Sequence, residues 1–273
     1  MFQSILDNVS RIHPLIHSIT NYITANDCAN ILLACGASPI MADDPLEAAE
    51  ITSLCSGLCL NLGTLNSRTI ESMILSGKKA NQKGIPVILD PVGAGASQFR
   101  TQTAFTLLSE IKFSVIRGNM SEIRSLALKT ASTKGVDAAL ADQITECRLE
   151  EAISFAKEFS RATGAVTVIT GPIDLVSNET SAFCIRNGAP LMSSVTGTGC
   201  QLSALIAAFA AASPNRLLEA TAAAVCAMGL AGETALKRMA SQDGNASYRN
   251  YIIDAVFNMN PEILEKGARY EMR

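Results

Sequence analysis

The sequence lacks an excess of positive charge. Among its 273 residues, Lys and Arg number 22 and Asp and Glu number 25, which gives a formal net charge of −3. Proteins that bind nucleic acids place clustered positive charge against the phosphate backbone, so this balance argues against DNA or RNA as a partner. Charged residues are few, at 17%, whereas hydrophobic residues reach 48% and the mean hydropathy is +0.24. A disordered chain is therefore excluded, and the sequence has ample material for a core.

A long apolar run and a secretory leader are also missing. The most apolar stretches are residues 202–212 and 221–231. The first has about half the length that crosses a bilayer, and the second is flanked by Glu219 and Glu233. The first 20 residues contain Asp7 and no basic region followed by an apolar one. We therefore expect a cytoplasmic protein without a membrane partner.

No pair among the eight cysteines has C-x-x-C spacing, which excludes a zinc ribbon and a thioredoxin-type motif. Most of the cysteines lie in apolar runs, where cysteine behaves as a small hydrophobic residue. This usage predicts reduced thiols rather than a disulfide scaffold.

Several catalytic motifs are absent. The chain has no G-x-x-x-x-G-K-[ST] phosphate loop, no G-x-G-x-x-G dinucleotide fingerprint and no G-x-S-x-G nucleophile elbow. The two histidines, His13 and His17, lie early in a segment that contains proline, and we interpret both as structural.

Segments with the patterns of strands and helices alternate along the chain, which predicts a mostly parallel sheet with helices on both faces. The sequence has no linker rich in Pro, Gly or Ser and no abrupt change of composition. We therefore predict a single α/β domain over residues 1–273, with the polar residues 262–273 as a frayed tail. Ligands of such folds gather beyond the carboxyl ends of the strands. The predicted strand exits are at Met41, Gly63, Asp90, Arg117 and Thr170.

The segment VTGTGC at residues 195–200 directly precedes an apolar helical run. The N–H groups of Gly197, Thr198, Gly199 and Cys200 would converge there at the positive end of the helix dipole, which predicts an anion pocket. A plain glycine turn has the same pattern. The first helical turn lowers the pKa of a thiol, so Cys200 is either a functional thiol or a small packed residue.

Asp90 ends an apolar strand and is followed by Gly-Ala-Gly at residues 93–95. A carboxylate beside a flexible glycine segment suits a metal ion near a phosphate. A helix-capping Asp beside an ordinary turn is the alternative.

Arg117 leaves the next strand, and its guanidinium can bind two phosphate oxygens at once. Asn119 and Glu122 have the spacing of a capping box, and Glu122 can also reach a hydrated magnesium ion. Thr170 ends a further strand, where it meets either a nucleotide or an ordinary turn.

Together these segments resemble the hydroxyethylthiazole kinases, a family of the ribokinase-like group. The matching segments are residues 14–22, 37–42, 61–65, 87–93, 115–119 with 121–122, 170–174 and 195–200. Seven segments in the family's order make the resemblance specific. It implies a ribokinase-like three-layer α/β/α sandwich with a mostly parallel central sheet.

The resemblance further implies phosphorylation of the primary hydroxyl of 4-methyl-5-(2-hydroxyethyl)thiazole with ATP and Mg²⁺ in thiamine salvage, by a homotrimer with active sites between subunits. The matching positions imply thiazole binding by Met41, Gly197 and Asn21, ATP binding by Arg117, Thr170 and Asn119, and magnesium binding by Asp90 and Glu122. Cys200 matches the position that faces the reacting hydroxyl.

Two other functions stay open at this stage. The first is a ribokinase-like enzyme of another substrate, such as a hydroxymethylpyrimidine kinase or a nucleotide-dependent repair enzyme. Most ribokinase-like enzymes have Asp where this chain has Cys200, and this difference argues against another ribokinase-like activity. A thiol is a less obvious general base than the carboxylate of Asp. The second is a protein that binds thiazole or ATP without turnover. The presence of Asp90, Arg117, Glu122 and Cys200 together argues against it.

Overall fold

The computed structural model describes residues 1–128 and 144–273, and these residues form one nine-stranded sheet. The strands are β1 (Leu15–Ile19), β2 (Ser38–Ile40), β3 (Gly57–Asn61), β4 (Val87–Asp90), β5 (Val115–Asn119), β6 (Val166–Thr170), β7 (Asp174–Ser177), β8 (Ala182–Ile185) and β9 (Tyr270–Met272). Their order is β2-β1-β3-β4-β5-β6-β7-β8-β9. The strands from β2 to β6 are parallel, whereas β7, β8 and β9 pair antiparallel with their neighbours.

Helices connect and cover these strands. They are α1 (Gln3–Ile12), α2 (Ala25–Ala34), α3 (Ala48–Leu54), α4 (Ser67–Lys83), α5 (Gln98–Glu110), α6 (Met120–Ala127), α7 (Leu149–Thr163), α8 (Thr198–Ala212), α9 (Leu217–Arg238), α10 (Asn245–Phe257) and α11 (Pro261–Gly267).

The sheet separates two apolar cores, because successive residues of a strand point to opposite faces. In β5, Val115 packs into the core formed with α1, α2, α8, α9 and α10, whereas Ile116 packs into the core formed with α4 to α7. In β3, Cys59 and Leu60 divide in the same way. The predicted three-layer α/β/α fold with a mostly parallel sheet is confirmed.

Helix α9 belongs to the core. Together with the turn before it, α9 spans Pro214–Arg238. Among the described residues it is the one helix long and apolar enough to cross a membrane, yet 67% of its most apolar stretch is buried inside the protein. Helix α8 is also buried along most of its length. A helix that is apolar on all sides is typical of a large protein's interior, and α9 is not a membrane span. All eight cysteines are free, as their placement in apolar runs predicted.

The expectation of a frayed tail at residues 262–273 is wrong. This segment forms α11 and then β9, which pairs antiparallel with β8. The ring of Tyr270 lies 4.9 Å from that of Phe2 and 5.4 Å from that of Phe183, measured between centroids. The polar composition of this segment suggested disorder. An edge strand is also polar in part, because it pairs on one side only and alternates polar with apolar residues.

Candidate active site

The carboxyl ends of four neighbouring parallel strands meet the beginning of α8. Asn61 ends β3 and Asp90 ends β4, and both approach side chains of α8. Ser203 donates a hydrogen bond to Oδ2 of Asp90 at 2.8 Å, and Nδ2 of Asn61 lies 3.3 Å from Sγ of Cys200. This is the edge at which an open α/β sheet binds its ligands.

The loop before α8 has a backbone shape that glycine favours. Gly197 has φ +87°, in the left-handed region, and a Cβ there would lie 2.5 Å from Cγ2 of Thr24. No side chain caps the helix, and its first internal hydrogen bond in this turn runs from Gln201 N to Gly197 O. The N–H groups at the start of α8 are therefore available to an anion, which agrees with the predicted pocket.

Arg117 lies directly against this helix end. A Cβ at Gly199 would lie 2.5 Å from its Nη1, its Nη2 donates to Oγ1 of Thr170 at 2.7 Å, and its Nη1 lies 3.6 Å from Oδ1 of Asp90. The Nε of Arg117 is buried without a hydrogen-bond partner. An unpaired buried donor beside an uncapped helix is suited to a phosphate oxygen.

Asp90 is fully buried and only half satisfied. Its Oδ2 accepts from Asn61 and Ser203, each at 2.8 Å, whereas Oδ1 has no hydrogen-bond partner. Burial raises the pKa of Asp90 from 3.8 to about 6, although the charge of Arg117 lowers it. Oδ1 accepts no hydrogen bond and lies 3.6 Å from Nη1 of Arg117, and it is a carboxylate oxygen of the kind that binds a magnesium ion or its water.

Glu122 has a structural role, whether or not it also binds a metal ion. Its Oε2 accepts from the N–H of Asn119, its Oε1 accepts from the N–H of Gly93, and Asn119 in turn caps α6. The capping box that the spacing indicated is therefore present, and it joins the loops after β4 and β5.

The described residues contain no cluster of three or more His, Cys, Asp or Glu side chains that would hold a metal on its own. Magnesium in kinases takes one or two carboxylates and completes its shell with water and substrate phosphates. The donor set of Asp90 and Glu122 fits such an ion.

The Cys200 thiol differs from its prediction. Burial raises its pKa, the charge of Asp90 acts in the same direction, and hydrogen bonds from Thr24, Asn21 and Asn61 oppose them. The expectation of a lowered pKa at the helix end is wrong, because burial and the charge of Asp90 raise it. The group is therefore a thiol, rather than a thiolate, at neutral pH.

The structure adds two residues that the sequence analysis did not assign to the site, Asn61 and Ser203. Asn61 donates to Asp90 and Cys200, and it accepts from Asn21 Nδ2 at 3.0 Å. A signal for Asn61 was present, because it is the polar end of an apolar strand and lies two residues before the exit at Gly63. Ser203 gave no signal within its apolar helix.

A cavity of about 600 Å³ opens beside the helix end. Arg117, Thr170, Thr198 and Gly199 line it, together with apolar side chains of α8 and α9. Met41 is not among its lining residues; it follows β2 near the edge of the sheet and is 38% exposed. The structure thus brings two of the three nucleotide-binding candidates, Arg117 and Thr170, to one cavity, whereas Asn119 and Met41 do not line it.

Solved structures share this architecture. One is the hydroxyethylthiazole kinase protein of Pyrococcus horikoshii OT3, with a TM-score of 0.88 and 33% identity over 100% of this chain and 98% of that one. Another is the pyridoxal kinase of Staphylococcus aureus in complex with ADP, with a TM-score of 0.64 and 11% identity over 95% of this chain and 97% of that one. The fold is therefore that of the ribokinase-like kinases.

Sequence comparison gives the family. The hydroxyethylthiazole kinase family model matches residues 6–262, and the hydroxyethylthiazole kinase of Clostridium acetobutylicum is 59% identical over 271 residues, which cover 99% of each chain. The chain belongs to the hydroxyethylthiazole kinase family. It is a phosphotransferase with an alcohol as acceptor.

Proposed function

We propose that the chain transfers the terminal phosphoryl group of ATP to the primary hydroxyl of 4-methyl-5-(2-hydroxyethyl)thiazole, a step of thiamine salvage in the cytoplasm. The observation that carries the proposal is the pairing of this family membership with an uncapped helix end beside a buried arginine. Phosphoryl transfer depends chiefly on positioning the reacting groups and on neutralising charge. The uncapped start of α8 and Arg117 are suited to both.

The start of α8 binds the group that is transferred. The N–H groups of Thr198, Gly199 and Cys200 donate to the phosphoryl oxygens, and Gly197 allows the loop to turn toward them. Arg117 donates through Nε and neutralises charge that spreads over these oxygens in the transition state. Thr170 holds the guanidinium in place through its hydroxyl. Asn119 shapes the neighbouring loop by capping α6.

Bound magnesium would supply positive charge that offsets the negative charge of the phosphates. Asp90 would hold it through the free Oδ1, and Glu122 would contribute through water, because both of its oxygens already accept backbone hydrogen bonds.

Cys200 orients the acceptor hydroxyl. Because its pKa is raised, the group keeps its proton at neutral pH and is not available as a general base, and a loose transition state needs little help with proton removal. Nδ2 of Asn21 donates to the sulfur at 3.3 Å, which supports a role for Asn21 in binding the thiazole beside Cys200.

Replacing Cys200 by alanine is expected to lower kcat about tenfold, because loss of an orienting group costs less than the hundredfold or more for a general base. A coupled assay of ADP release measures the effect. The exposed Cys147 offers a matched control, and Cys147→Ala should keep the wild-type rate. Complete loss of turnover in a folded Cys200→Ala protein, or no loss, would contradict the orienting role.

The buried Asp90 predicts a pH dependence of stability in the metal-free protein. Its carboxyl ionises near 3.8 in an unfolded chain and near 6 in the folded one, so the folded state holds the proton more tightly. The free energy of unfolding should therefore fall as the pH rises from about 4 to about 6, by at most about 3 kcal/mol from this group, and stay level above.

Urea unfolding at several pH values tests this prediction by comparing the wild type with Asp90→Asn. The difference between the two proteins should change across that pH interval in favour of the variant. A constant difference would show that Asp90 ionises normally in the folded chain.

We further propose a homotrimer in which a neighbouring subunit completes the thiazole side of the site. Large apolar side chains are exposed on the loops after β1 and β2: Tyr22 and Ile23 at 66% each, Met41 at 38% and Leu46 at 95%. Exposed apolar patches mark contact surfaces. Sedimentation should give three times the 28.8 kDa chain mass, and Leu46→Asp should dissociate the assembly. A wild-type monomer would refute this assembly.

An acceptor panel tests the function. ADP release is measured with the thiazole alcohol, with hydroxymethylpyrimidine and without acceptor, each with and without Mg²⁺. The proposal predicts magnesium-dependent turnover with the thiazole alcohol. Turnover with hydroxymethylpyrimidine alone would indicate a kinase of another vitamin precursor. Nucleotide binding without turnover would indicate a binding protein.

A further inference from the structure

Two asparagine side chains enclose the sulfur of Cys200. Nδ2 of Asn21 and Nδ2 of Asn61 each lie 3.3 Å from Sγ. Both asparagines are buried, with 4% and 1% of their surface exposed. They come from different parts of the sheet, since Asn21 follows β1 and Asn61 ends β3, so their convergence on one atom is a product of the tertiary fold.

The orientation of both amides follows from donors that cannot reverse. The backbone N–H of Gly63 donates to Oδ1 of Asn61 at 2.9 Å, so Nδ2 of Asn61 must face the sulfur. The backbone N–H groups of Ile23 and Thr24, each at 3.1 Å, donate to Oδ1 of Asn21, which directs its Nδ2 toward the sulfur in the same way. A backbone N–H only donates, so a flipped amide would oppose two donors.

Asn61 uses all its hydrogen-bonding atoms. The second hydrogen of its Nδ2 goes to Oδ2 of Asp90 at 2.8 Å, and its Oδ1 also accepts from Asn21 at 3.0 Å. One amide group therefore connects the thiol with the buried carboxylate. The amides of Asn21 and Asn61 are both fully hydrogen-bonded, and buried amides of this kind hold their partners in a single arrangement.

We infer that Asn61 is a positioning residue of the phosphoryl-transfer reaction. Its amide fixes the sulfur of Cys200 relative to the carboxylate of Asp90, and so sets the acceptor hydroxyl relative to the phosphoryl site. The two amides donate to the sulfur from the protein side, which directs the thiol hydrogen away from both of them. The inference rests on the proposed function, and its kinetic test requires that function. Its structural test requires only the geometry of the folded protein.

The kinetic test is a double-mutant cycle with Asn61→Ala and Cys200→Ala. If Asn61 acts through the sulfur, Asn61→Ala lowers kcat about tenfold in the wild type, with the KM values for both substrates within about threefold, and lowers it less than about threefold in the Cys200→Ala background. An equal loss in both backgrounds, or no loss of kcat in the single variant, would overturn the inference.

The control is Ser160→Ala. Ser160 lies on α7, on the side of the sheet covered by α4 to α7. Its buried hydroxyl hydrogen-bonds to Thr167 and Ser177, so its removal also disrupts a polar network. This variant should lose stability and keep kcat within twofold. Should Asn61→Ala fail to fold, Asn61→Ser, which retains one short donor, enters the same cycle with a smaller expected loss of kcat.

A crystal structure of the folded Asn61 variant tests the inference without turnover. The sulfur of Cys200 should occupy more than one rotamer or leave its position beside Asn21. A sulfur that stays in one unchanged rotamer would overturn the positioning role. If the wild type phosphorylates no thiazole alcohol, the proposed function fails, while this structural result still decides the role of Asn61.

Discussion

Replacing Gly197 by alanine is expected to lower kcat/KM about a thousandfold, the cost of losing a preorganised hydrogen-bond donor at a transition state. The residue has φ +87°, and an added Cβ would lie 2.5 Å from Cγ2 of Thr24. The loop must move to relieve that contact, and the N–H groups of the first turn of α8 move with it. Steady-state kinetics of ADP release would measure the loss.

The chain offers a matched control at Gly164. It also has a left-handed backbone, with φ +69°, but nothing lies within 4 Å of an added Cβ. Gly164→Ala therefore carries only the conformational cost, about 1 kcal/mol of stability, and should keep its activity. If Gly197→Ala matched Gly164→Ala in both stability and kcat/KM, the phosphoryl pocket at this loop would be refuted.

The second large effect is expected from Arg117→Met, which keeps an unbranched apolar stem and removes the guanidinium with its charge. The variant should lose about a thousandfold in kcat/KM for ATP, because phosphate charge is no longer neutralised. It should also lose about 1 kcal/mol of stability at neutral pH, because Asp90 is left buried without its ion pair and takes up a proton, which costs about 1.4 kcal/mol for each pH unit above its pKa of about 6. Kinetics and urea unfolding measure the two losses separately.

The stability loss has a pH signature of its own. Below pH 6 Asp90 becomes protonated, so the penalty for Arg117→Met should shrink. Arg117→Lys keeps the charge without the planar fork and should recover stability more than activity. The exposed Arg68, paired with Asp44 on the surface, provides a control, and Arg68→Met should change neither property. A penalty for Arg117→Met that is constant with pH would contradict the coupling to Asp90.

The sequence was sufficient to predict the fold class and the sheet edge at which several candidate site residues meet. Asp90, Arg117 and Thr170 each follow or end an apolar segment, and the topology of a parallel sheet brings such positions to one edge. The glycines before α8 indicated a helix end open to an anion, and the uncapped helix agrees with that prediction.

Other features depend on contacts that a linear pattern does not contain. The raised pKa of Cys200 results from burial among residues of three different segments, so the helix position alone gave the wrong direction. Asn61 and Ser203 join the site through a carboxylate that is distant in sequence. The strand at Tyr270–Met272 forms because β8 presents an open edge, and the polar sequence of the tail does not indicate this pairing.

A crystal structure with a non-hydrolysable ATP analogue, Mg²⁺ and the thiazole alcohol shows where the transferred phosphoryl group binds. We expect oxygens of the terminal phosphate to lie about 3 Å from the N–H groups of Thr198, Gly199 and Cys200, with Arg117 against them. A terminal phosphorus bound far from the start of α8, with those N–H groups facing only solvent, would contradict this expectation.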